Sequence, residues 1–101
     1  MFEVHRTDVF IEWTEGLRDA RAAAAIARRL RTLELEGHFG DSKQVAKGVI
    51  EMRIHVGPGY RVYLAQRGRQ IVVLLCGGDK RSQKRDIERA LKLAEDMEIG
   101  R

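Results

Sequence analysis

Proline and cysteine occur once each in this chain, as Pro58 and Cys76, and aromatic side chains make up only 6% of it. A single cysteine excludes an internal disulfide and suits a reducing compartment. The histidines, His5, His38 and His55, are scattered without the spacing of metal ligands, so no zinc site is expected. No apolar run approaches the roughly 20 residues of a membrane-spanning helix. The opening MFEVHRTD mixes polar and apolar side chains and has no signal-peptide core. The expectation is a cytoplasmic protein with no membrane association, no metal and no cofactor.

What is present describes a folded domain. Hydrophobic residues make up 44% and charged residues 34% of 101 positions, too apolar for disorder. The length suits a single domain over residues 1–101 with a modest core. The charge is unevenly spread. Residues 42–85 carry ten Lys and Arg against two Asp and Glu, whereas residues 1–41 carry six against eight and residues 86–101 three against five. The basic charge therefore concentrates in one stretch, which points to an anionic partner.

Periodicity gives the elements. Phe2 to His5 reads as a short strand. Phe10, Trp13 and Leu17 share one face of a short helix capped by Thr7 or Asp8. A second helix runs from about Asp19 to Glu36, with Ala23, Ile26, Ala27, Leu30 and Leu33 as its stripe and Gly37 as its stop. The two form a helical hairpin. After a possible short strand near Gln44 to Ala46, residues 51–56 and 60–65 alternate around the turn Gly57-Pro58-Gly59. Ile71 to Cys76 is a continuous apolar run, the mark of a strand covered on both faces, and Gly77-Gly78 ends it. Ser82 then caps a last helix with Ile87, Ala90, Leu91, Ala94 and Met97 buried. The fold class is α+β: a mainly antiparallel twisted sheet, an N-terminal helical hairpin on one face and a C-terminal helix at its edge.

A turn that pairs Val56 with Tyr60 sets Ile54 against Val62 and Met52 against Leu64, all on one side. Arg53 then faces Tyr63, and His55 faces Arg61, on the other. Two arginines on adjacent strands with no acid between them repel, and broken local rules of this kind gather at functional sites. Arginine suits bidentate phosphate contact. Ser82-Gln83-Lys84-Arg85 makes a basic first helical turn, either a solvated cap or a phosphate seat. Tyr63 is the candidate for base stacking. His55 is either an exposed strand residue or a proton acceptor near neutral pH. Cys76 and Trp13 read as core residues, and Asp41 and Asp79 as turn or salt-bridge residues.

The segments WTEGLRD, GVIEMRIHVGPGYRVYL and IVVLLCGGDKRSQKRDI, in the order strand, helical hairpin, antiparallel strands, helix, resemble the RelE/ParE toxin superfamily, and within it the HigB-like putative addiction module killer proteins. The resemblance covers nearly the whole chain. It implies the toxin of a type II toxin–antitoxin pair, with ribosome-bound mRNA as its substrate. Such a toxin cuts RNA without a metal, by attack of a ribose 2′-hydroxyl on the adjacent phosphate. It also implies a small antitoxin partner with a helix-turn-helix domain, through which alone operator DNA is contacted. Carried over by position, Arg53, Arg61 and Lys80 become the catalytic cations, Arg61 stabilising the transition state and Lys80 the leaving group. The C-terminal LAEDMEIGR holds no Tyr or His of the kind several nuclease relatives use, so either His55 stands in for proton transfer or catalysis rests on electrostatics alone. Lys43, Lys47, Tyr63, Arg81, Gln83 and Lys84 complete the expected RNA contacts. ParE relatives share the fold and inhibit DNA gyrase, and an inactive nucleic-acid-binding module is a further alternative.

Overall fold

The computed structural model describes residues 1–99, the side chains of residues 98 and 99 excepted. The chain runs β1 (Glu3–Arg6), α1 (Asp8–Glu15), α2 (Ala20–Glu36), β2 (Ser42–Ala46), β3 (Val49–Ile54), β4 (Tyr60–Arg67), β5 (Ile71–Asp79) and α3 (Gln83–Ile99), with one 3-10 turn (Lys80–Ser82) before α3. The sheet order is β1-β5-β4-β3-β2. Only the β1–β5 pair is parallel; the other three are antiparallel.

The helices begin and end where their side chains satisfy the free backbone groups. Thr7 accepts from the Phe10 N–H to start α1. Asp19 accepts from the N–H groups of Arg21 and Ala22 to start α2, and Gly37, at φ 72°, closes it in the left-handed conformation. Phe10, Ile26, Leu30 and Leu33 then pack on Met52, Ile54, Val62, Leu64, Val72 and Leu74. The opposite face of the sheet, which carries Val49, Tyr63, Ala65, Val73, Leu75 and Cys76, is covered by Ala90 and Ala94 of α3. The last helix thus lies across the second face and not at the edge, because small alanines let it approach the strands closely. The apolar run of β5 is covered on both sides as its composition implied.

Two details of the sheet depart from expectation. The pairing of β3 with β4 sets Ile54 opposite Tyr60, Met52 opposite Val62 and Arg53 opposite Arg61, two residues away from a tight Val56–Tyr60 turn. The chain leaves β3 at Ile54 and closes two small loops, Val56 N–H to Ile54 C=O and Gly59 N–H to Val56 C=O, with Gly57 and Gly59 at φ 57° and 83°. A two-residue slip preserves the faces and changes every cross-strand neighbour.

The glycine pair does not end β5 but lies inside it. Leu74 pairs with Leu64 and Cys76 with Tyr63, leaving Leu75 as an extra residue. This bulge turns Leu75 and Cys76 both toward α3 and reverses the alternation beyond them. A Cβ on Gly77 would lie 2.4 Å from the Trp13 ring, and one on Gly78 would lie 1.8 Å from Asp86 Oδ2. One glycine therefore admits α1 and the other admits α3. Gly77→Ala is expected to destabilise the fold by about 1–3 kcal/mol through overpacking. The urea midpoint, followed by the fluorescence of Trp13, measures it.

Candidate nucleic-acid interface

Glu51 lies at the centre of the α3 face and is 0% exposed. Alternation along β3 places it on the same side as Arg53, and cross-strand pairing sets Tyr63 opposite it. Arg53 Nε donates to Oε1 at 3.0 Å. Tyr63 Oη and Gln83 Nε2 both donate to Oε2, at 3.0 and 2.8 Å. Arg61 Nε stands 3.6 Å from Oε2 and is attracted by charge alone, since this buried nitrogen makes no hydrogen bond among the described residues. Burial favours the neutral acid, but the hydrogen bonds from Gln83, Arg53 and Tyr63 and the charge of Arg61 outweigh it and hold the carboxyl below its ordinary value. The Tyr63 hydroxyl is pushed up by burial and by the charge and hydrogen bond of Glu51.

An acid therefore does stand between the two arginines. Sequence reading placed Glu51 on this face yet paired the hairpin two residues out, so its proximity to Tyr63 and Arg61 was missed; its position two residues before Arg53 was the available signal. The carboxylate absorbs part of each guanidinium and leaves the rest. The terminal nitrogens of Arg53, whose side chain is 31% exposed, make no hydrogen bond among the described residues. Arg61 uses Nη1 on the Gly59 carbonyl at 3.1 Å.

The remaining candidates divide by position. Tyr63 is fully buried in the second core, so it cannot present its ring to a base; the stacking role expected for it is corrected by the α3 covering. Gln83 is turned inward to Glu51. Lys43 is opposite Glu51 in the β2–β3 ladder and exposed, as are Lys80 and Lys84. Lys80 follows Asp79, which pairs with Tyr60 beside Arg61. Lys47 sits in the turn before Val49, at the far end of β3 from Arg53. Arg81 is exposed and paired with Asp79 at 3.2 Å.

The helix start is not an open phosphate seat. Asp79 accepts from the N–H groups of Arg81 and Ser82 in a capping box, and Asp86 stands in the first turn of α3, buried beneath Gly78 and hydrogen-bonded to Ser82 Oγ. Asp79 is the turn and salt-bridge residue that the sequence implies, whereas the place of Asp86 was not foreseen. His55 leaves the strand at the three-residue turn and bonds Asp41 through Nε2; it does not pair with Arg61. Asp41 is held below the usual carboxylate range, first by that hydrogen bond.

Among the described residues, no group of three or more His, Cys, Asp and Glu could hold a metal ion, and no helix is long and apolar enough to cross a membrane. A groove of about 580 Å³ lined by Val4, Phe10, Ile26 and Leu30 lies on the opposite face, between α2 and β1.

Two measurements check this arrangement. Glu51→Ala leaves buried donors without an acceptor and is expected to cost about 3–5 kcal/mol at neutral pH. The contribution of a carboxyl whose native pKa is lowered is present above its ordinary value of 4.5 and lost as pH falls below it. Urea midpoints at pH 7 and pH 3 are expected to fall less in Glu51→Gln than in the wild type. Cys76, 1% exposed, has its thiol pushed up to about 12 by burial and by the charge of Asp86. A thiol reagent is expected to label it only as fast as the protein opens.

The same segments match known proteins. The model of the family described as phage-derived protein Gp49-like (DUF891) matches residues 13–97. An uncharacterised protein of Haemophilus influenzae is 43% identical over 95 residues, which is 94% of this chain and 95% of that protein. The matched span takes in the end of α1, the Glu51–Arg53–Arg61 centre and nearly all of α3, so the chain belongs to the Gp49-like phage-derived family, a toxin-like group of the RelE/HigB addiction-module type.

Proposed function

We propose that this protein is the toxin of a type II toxin–antitoxin pair and cuts mRNA on the ribosome without a metal. The observation that carries this reading is the direct pairing of Arg53 with Arg61 over a buried carboxylate that holds both while leaving the terminal nitrogens of Arg53 unbonded. Two guanidiniums held side by side and partly desolvated suit a phosphate whose negative charge grows as a fifth oxygen approaches. Arg61, 12% exposed, is the stiffer of the two and is assigned to the transition state. Arg53 is assigned to binding the scissile phosphate and Lys80 to the leaving oxygen. Exposed Lys43 and Lys84 extend the positive surface along the RNA, with salt-dependent binding as the consequence.

In this reading the partner is a small antitoxin with a helix-turn-helix domain, the pair contacts its operator DNA through that domain, and the site of action is the cytoplasm. Membership of a toxin-like family supports the reading.

Arg61→Ala is expected to lower cleavage about 100- to 1,000-fold, the usual loss for one transition-state donor, and to relieve growth arrest. Mapping of transcript 5′ ends after induction, with circular dichroism to confirm the fold, is the test. Cleavage at the wild-type rate in a folded Arg61→Ala variant overturns the reading. DNA breaks in place of cut transcripts would assign the toxin to gyrase.

A further inference from the structure

The loop before β2 is tied to the end of β3 by one arginine of α2. Arg29 Nη1 donates to the Arg53 carbonyl at 2.6 Å, and Nη2 donates to the carbonyls of Phe39 and Asp41 at 2.8 and 3.4 Å. The Arg53 N–H returns a bond to the Asp41 carbonyl at 2.9 Å. Residue 40 must be glycine here: its φ is 67°, and a Cβ would lie 2.6 Å from Arg29 Nη2. The backbones of Asp41 and Arg53 are thereby fixed to each other, and the Asp41 carboxylate meets His55 Nε2 two residues beyond Arg53.

We infer that Asp41 is a positioning residue that presents His55 as the proton acceptor of the Arg53–Arg61 site, an inference that rests on the RNA-cleavage reading. A carboxylate can only accept, so the ring nitrogen it meets carries the proton. Nε2–H donates to Asp41, and Nδ1 is left with its lone pair on the opposite side of the ring. In the reaction, Nδ1 takes the proton of the ribose 2′-hydroxyl, the O2′–P bond forms and the P–O5′ bond breaks. The departing 5′-oxygen takes a proton from solvent, and the products are a 2′,3′-cyclic phosphate and a 5′-hydroxyl. Asp41 itself gives and takes no proton. Its effect is on the tautomer and the angle of the ring, which a loop this exposed would otherwise leave to rotate. Here sequence reading placed Asp41 only as a turn or salt-bridge residue, because fourteen positions separate it from His55.

The test uses the full chain, ribosomes programmed with a short 5′-labelled mRNA, and the variants Asp41→Asn, His55→Ala, their double variant and Arg61→Ala. His55→Ala is expected to lower kcat about 100-fold, the lower end of what a positioned base supplies. Asp41→Asn is expected to lower kcat about 10-fold with KM unchanged, and the double variant to be no slower than His55→Ala, because the two act as one unit. Nitrogen-15 NMR of the imidazole is expected to show the Nε2–H tautomer in the wild type and a growing Nδ1–H share in Asp41→Asn, a change that a purely structural aspartate would not cause. The inference is overturned if Asp41→Asn cleaves at the wild-type rate while His55→Ala is slow, if the two losses multiply, or if the wild-type ring carries its proton on Nδ1. Full cleavage by Arg61→Ala would instead overturn the RNA-cleavage reading, so the two failures are told apart.

Discussion

One buried carboxylate makes the rest of this site tenable. Arg53 and Arg61 are direct cross-strand neighbours, a placement that repels in any sheet. Glu51 stands within reach of both and also takes the Tyr63 hydroxyl and the Gln83 amide. β3, β4 and α3 thus converge on two oxygens. In a medium of low polarity each of these bonds is stronger than in water, and each is correspondingly expensive to lose. The same economy explains why the arginines keep reactive donors: one acid cannot saturate two guanidiniums.

The sheet reaches this geometry by removing side chains as much as by placing them. The extra residue at Leu75 brings Leu75 and Cys76 onto the α3 face together, and the alternation that follows leaves Gly77 under Trp13 and Gly78 under Asp86. Gly78 sits directly opposite Arg61. Any larger residue there would displace the helix that carries Gln83 to Glu51. The bulge, the two glycines and the buried glutamate are parts of one arrangement in which both helical layers press on a strand at the point where the arginines emerge.

Local chemistry made much of this legible. Asp19 and Gly37 mark α2 within a residue because caps are short-range. The period of two along β3 and β4 gave the correct faces because it depends on neighbouring residues alone. The pairing of those strands failed because the Gly-Pro-Gly stretch admits several loop closures, and the one adopted also takes in His55 and Val56. Tyr63 was misplaced for a related reason: the face it shares with the arginines looked polar in β3, and the coverage by α3 depends on alanines thirty residues away. Asp41 and Asp86 became meaningful only when distant segments met, the first through Arg29 and the second through the bare backbone of Gly78.

The parallel union of β1 with β5 sets an order on the birth of the protein. Glu3 pairs with Ile71 and Arg6 with Leu74, so β1 has no strand partner until β5 has been made. Contacts of such long separation form late. Gln83, which closes the Glu51 centre, is made later still. A chain emerging from a ribosome therefore carries its arginines before it carries the scaffold that holds them together, and a protein whose family is toxin-like completes this centre only once Gln83 has been made.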